Sequence, residues 1–98
     1  MQTSKTLKVM NKIVLITTRG CEGCSVMRYS INSAILYSSK EIEFEAKDVS
    51  TLDIVERNNL KLRDFPTTLF YKDGNLVRKE VGTRPYIVVL RWIDIDFK

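Results

Sequence analysis

Four apolar residues in a row, Ile13-Val14-Leu15-Ile16, stand within Lys12 to Thr18. A short β-branched run without polar interruption predicts a strand covered on both faces. Gly20 breaks it, and from Cys21 the period changes. Cys24, Met27, Ile31, Ala34 and Ile35 then share one helical stripe, with Arg28, Asn32 and Ser33 off its centre. The stripe predicts a helix from Cys21 to about Ser38-Ser39-Lys40. Ile42-Glu43-Phe44-Glu45-Ala46 alternates apolar and charged residues, the period of a strand. Ser50-Thr51-Leu52-Asp53 resembles a capping box with Asp in the acidic position, opening a short helix through Leu52, Val55 and Asn59.

Phe65-Pro66 cannot continue a helix, so Thr67-Thr68-Leu69-Phe70-Tyr71 reads as the next strand. Asp73-Gly74 inside Lys72–Asn75 is a hairpin turn, and Leu76 to Val81 is the return strand. Pro85 suits the first turn of a last helix, with Thr83 as its N-cap and Tyr86, Val89, Leu90, Ile93 and Phe97 along one side. The order β-α-β-α-β-β-α, with right-handed crossovers, predicts an α/β fold: a four-stranded mixed sheet with helices on both faces. Residues 1–11 add either an extra strand, since Leu7 and Val9 alternate, or a frayed end.

Composition narrows the function classes. With 98 residues, 44% apolar and 29% charged, the chain supports one domain over 1–98 and one core. No apolar run approaches the ~18 residues a bilayer requires, and the polar start lacks the apolar segment of a secretory signal. Both point to a cytosolic protein without a membrane partner. The net charge of +4 comes from dispersed Lys and Arg rather than a concentrated basic face, which argues against nucleic acid. Histidine is absent, which removes the usual general base and the commonest metal ligand together.

The two cysteines stand in Arg19-Gly20-Cys21-Glu22-Gly23-Cys24. A bridge across two intervening residues closes a tiny loop and restrains the unfolded chain little, so the spacing points to chemistry rather than stapling. Thiol–disulfide exchange needs an accessible thiolate and a second thiol to resolve the mixed disulfide. Cysteines at i and i+3 of a helix start meet that need: Cys21 at the strand–helix junction as nucleophile, Cys24 on the inward stripe as resolver. The helix N-terminus and Arg19 favour a thiolate at Cys21, whereas Glu22 opposes it. Structural zinc takes four ligands and this motif supplies two, so the chain alone is expected to hold no metal and no other cofactor.

These elements resemble the thioredoxin-like superfamily over nearly the whole chain from Lys12. The resemblance rests on Cys21-Glu22-Gly23-Cys24 directly after the first buried strand and on Phe65-Pro66-Thr67. It is extended by Leu69-Phe70-Tyr71-Lys72-Asp73-Gly74 and Val81-Gly82-Thr83. It implies that Pro66 is cis against the cysteine pair and that Phe65 offers its backbone to an extended substrate. It further implies that Gly82 admits substrate closely, so that Gly20, Glu22, Gly23, Phe65, Pro66 and Gly82 surround Cys21 and Cys24 as the substrate site. The activity implied is a disulfide oxidoreductase, a monomer exchanging electrons between disulfide-containing proteins and a separate electron donor. The chain also departs from the family. Gly20 stands for the usual tryptophan, Glu22-Gly23 for Gly-Pro, Leu15 for the buried aspartate and Phe44 for its lysine partner. Gly82-Thr83-Arg84 replaces the glutathione-holding residues of glutaredoxins. Glycine at 23 is expected to loosen the helix start, and the missing acid to slow turnover. The competing reading is a redox-inert or redox-switched interaction module that keeps the shape for binding.

Overall fold

The computed structural model describes residues 10–98; the reading of the first residues, Leu7 and Val9 included, lies outside them. In chain order the elements are β1 (Asn11–Thr17), α1 (Glu22–Tyr37), β2 (Glu43–Asp48), a 3-10 turn (Val49–Thr51), α2 (Ile54–Leu60), β3 (Thr67–Lys72), β4 (Asn75–Val81) and α3 (Tyr86–Asp96). The sheet runs β2-β1-β3-β4. β1 and β2 are parallel, whereas β3 is antiparallel to both β1 and β4. This is the mixed sheet that the alternation of periods predicts. Asp73 and Gly74 form the hairpin turn with φ of 54° and 83°, the geometry of a type I′ connection.

β1 sits in the centre, which explains its unbroken apolar run. Ile13, Val14, Leu15 and Ile16 are all buried, and alternate residues serve opposite faces. Ile13 and Leu15 join Met27, Ile31 and Ala34 of α1, Phe70 of β3, and Val89, Ile93 and Phe97 at α3. Val14 and Ile16 turn the other way, to Leu52 and Leu69, with Leu60 of α2 and Phe65 beside them. Helices α1 and α3 therefore cover one face and α2 the other. Burial of each such aliphatic side chain stabilises by about 1.5–3 kcal/mol.

Two helix starts differ from the expectation. Asp53, not Ser50, is the N-cap of α2: its carboxylate accepts from the Glu56 N–H at 2.7 Å. Ser50 instead lies in the 3-10 turn, where its N–H donates to Asp48. Leu52 precedes α2 and is buried there, while Val55 stays 63% exposed. The cap lies three residues later than expected, with Leu52 buried just ahead of it. At α3, Pro85 rather than Thr83 occupies the N-cap, with no side-chain cap. Thr83 is drawn into the loop beside the cysteines.

Candidate active site

Gly20 (φ +75°) turns the chain out of β1 into α1, and Cys21 becomes the N-cap residue of that helix. No side chain caps this end, so the first N–H groups of α1 point toward the Cys21 position. The partial positive charge of the helix start acts at the same place. Cys21 and Cys24 are joined by a disulfide, with Cα atoms 5.4 Å apart. Cys21 is partly exposed, whereas Cys24 is 8% exposed and lies on the inward stripe with Met27 and Ile31.

Two loops close on this turn. The Phe65–Pro66 peptide is cis. The Pro66 carbonyl accepts from the Gly82 N–H at 2.8 Å, and Gly82 adopts φ +97°, a conformation that L side chains rarely take. A Cβ placed on Gly23 would stand 2.8 Å from Thr83 Cγ2 and 3.4 Å from Pro66 Cδ. Gly23, Pro66 and Thr83 thus interlock. The missing side chain at Gly23 leaves room for Thr83 and Pro66 beside the helix start.

Arg84 pins the second loop. Its Nη1 donates to the Thr83 carbonyl at 2.9 Å and the Val81 carbonyl at 3.2 Å. Its guanidinium lies over the Trp92 ring, as does that of Arg78, at 5.8 and 5.0 Å from the centroid. Glu80 links the two cations, at 2.8 Å from Arg78 and 3.9 Å from Arg84. The hydrogen bond to Asp96 is the main influence that raises the Arg78 guanidinium beyond its ordinary range. Trp92 is half-buried against the core, a packing residue as its late helix position suggests.

The predicted site residues therefore fall into two groups. Gly23, Pro66 and Gly82 are brought together beside Cys24, and Gly20 and Glu22 flank Cys21 in the chain. Phe65 is half-buried against the α2-side core, and its backbone groups enter none of the turn and loop hydrogen bonds among the described residues. Thr83 and Arg84 are the contributions the sequence reading missed. The Thr83 contact with Gly23 joins residues far apart in the chain, and the local Arg84 bonds to Thr83 and Val81 carry no periodic signal. The groove of about 330 Å³ among Val14, Ile16, Leu52 and Leu69 lies on the α2 face, across the sheet from the inward-facing Cys24.

The Gly23 contact gives a test of this geometry. Gly23→Ala sets a clash with the methyl of exposed Thr83 against a helix-propensity gain of at most about 1 kcal/mol, and the net loss should stay at about 1 kcal/mol. Thr83→Ser removes Cγ2 and should recover most of the loss, read as a coupling in a double-mutant cycle by urea unfolding. Additive effects would place Thr83 away from Gly23.

No family model matches the chain, and no curated protein matches it. Solved structures do match. One is thioredoxin-2, described as a component of the malaria parasite's protein secretion machinery. It superposes with a TM-score of 0.77 at 12% identity, over 90% of this chain and 84% of that one. No helix among the described residues is long and apolar enough to cross a membrane. The arrangement of the four strands and three helices, with the disulfide-bonded Cys21–Cys24 pair at the start of α1, is a thioredoxin-like fold.

Proposed function

We propose that the protein is a thiol–disulfide oxidoreductase acting on protein disulfides, with Cys21 as nucleophile and Cys24 as resolving thiol. The observation that carries this is the asymmetry of the pair: Cys21 partly exposed at an uncapped helix start, Cys24 buried one turn on. A thiolate at Cys21 is favoured by the N–H groups and dipole of α1, and only an accessible sulfur can meet a substrate disulfide in line. The Phe65 backbone, which enters no turn or loop hydrogen bond among the described residues and adjoins Pro66 at the Gly23 position, suits an extended substrate segment that adds as a strand. A reducing compartment such as the cytosol, with a separate electron donor for a monomeric protein, completes the reading.

Cys21→Ser is expected to abolish catalysed reduction of insulin disulfides by dithiothreitol, leaving the uncatalysed rate. Equal rates in the wild type and the variant would reject exchange chemistry and leave the fold as a binding module.

A further inference from the structure

One buried polar atom has no role in the site so far described. Thr68 on β3 is completely buried, and its Oγ1 finds no hydrogen-bond partner among the described residues. Its neighbour Thr67 is equally buried but satisfied, donating to the Asp64 carbonyl at 2.6 Å. Buried hydroxyls are almost always paired, so an orphan invites the question of what would pair with it.

The register answers by elimination and by bracketing. Across the sheet, Thr68 stands opposite Leu15 on β1 and Glu80 on β4. Leu15 has no polar atom to offer, and the Glu80 carboxylate is engaged by Arg78 and Arg84. Along β3, side chains two apart share a face. Phe70 packs in the core with Met27 of α1, and Pro66 faces the Gly23 position at 3.4 Å. Thr68 lies between Pro66 and Phe70 on the strand, as Cys24 lies between Gly23 and Met27 on the helix. The inward, buried residue in that interval of α1 is Cys24.

We infer that the Thr68 hydroxyl donates a hydrogen bond to the Cys24 sulfur once the disulfide opens. The inference rests on the reading of Cys21 and Cys24 as a working dithiol. In the disulfide no acceptor among the described residues, the Cys24 sulfur included, lies within reach of Thr68 Oγ1, and opening the bridge frees the Cys24 side chain to turn toward it. When a dithiol reductant transfers two electrons, the Cys21–Cys24 bond breaks and the reductant's own disulfide forms. Its two protons go to the cysteine sulfurs or to solvent. The Cys24 thiol or thiolate is then the better acceptor, a thiolate most of all. Thr68 keeps its proton throughout and supplies a donor, not a base. It thereby offers polar support to Cys24 in a layer where Leu15 supplies none, and it favours the reduced pair.

The test is the equilibrium between dithiol and disulfide in dithiothreitol buffers, read by thiol alkylation, for wild type, Thr68→Val and Thr68→Ser. Thr68→Val should shift the constant about tenfold toward the disulfide, ~30 mV more reducing. Thr68→Ser, which keeps the hydroxyl, should stay within about twofold of wild type by the same scale. Agreement of Thr68→Val with wild type, or an equal shift in both variants, overturns the inference. Unfolding midpoints in the two redox states supply a second measure. Thr68→Val should raise the midpoint of the oxidised protein and lower that of the reduced one, and equal shifts would overturn the proposal. Failure of the wild type itself to form a reversible couple would reject the oxidoreductase reading and this inference with it. A couple that is reversible but indifferent to Thr68 rejects the inference alone.

Discussion

Phe70→Ala is expected to lower the unfolding free energy by about 3–5 kcal/mol, the cost of truncating a buried aromatic in a core that relaxes only partly. Phe70 is inaccessible to solvent and is the side chain through which the sheet meets α3. Its ring stacks on Phe97 at 5.3 Å and meets Trp92 edge-on at 6.1 Å, pairs worth about 0.5–1.5 kcal/mol each beyond area burial. On the same face it shares a cluster with Met27 and Ile31 of α1. A domain of this size has about 5–15 kcal/mol in all, so the variant should retain the fold with a much lower urea midpoint and an unchanged slope. Leu36→Ala is the control. Leu36 is 82% exposed, and its loss should stay within about 0.5 kcal/mol. Comparable losses in the two variants would mean that the aromatic layer does not hold the core.

The parts of this architecture that were legible in the sequence are those in which one element's own pattern decides its fate. Ile13 to Ile16 reads as a central strand because both faces of β1 need apolar cover, and all four residues are buried. The stripe through Cys24, Met27, Ile31 and Ala34 is legible because one helix face meets one sheet face. Asp73-Gly74 fixes the hairpin through its own backbone conformation. The misreadings arise where the deciding contact lies elsewhere in the chain. The sequence predicts Ser50 as the cap of α2, but Asp53 takes that place, with Leu52 ahead of it buried against Val14, Ile16 and Leu69. Thr83 carries the side chain of a good N-cap, yet its methyl faces Gly23 and its carbonyl is held by Arg84. The space that Pro66 and Thr83 leave only for a glycine at position 23 was likewise not legible from its neighbours in sequence. The cysteine spacing pointed to the chemistry, whereas the loops that frame it required the fold.

Cys24→Ser is expected to divide the proposed reaction at its midpoint. In the first step the Cys21 thiolate attacks one sulfur of a substrate disulfide, a Cys21–substrate disulfide forms, and the other substrate sulfur leaves as a thiolate. That step needs an accessible sulfur at the uncapped start of α1, which the variant keeps. In the second step Cys24 attacks Cys21 Sγ and expels the remaining substrate thiolate. A hydroxyl ionises too weakly to do this at neutral pH, so the mixed disulfide should persist. Incubating the reduced variant with a disulfide substrate, with no excess dithiol, should release about one equivalent of substrate thiol per protein and then stop. Mass spectrometry should find the adduct on Cys21, and dithiothreitol should remove it. Burial gives the converse expectation: Cys21→Ser should form little adduct, because Cys24 is 8% exposed and sits beneath the turn that Pro66 and Thr83 close. An adduct that forms as fast on Cys24 as on Cys21 would reverse the two roles. It would also mean that Cys24, 8% exposed beside the Gly23, Pro66 and Thr83 contact, becomes accessible in solution.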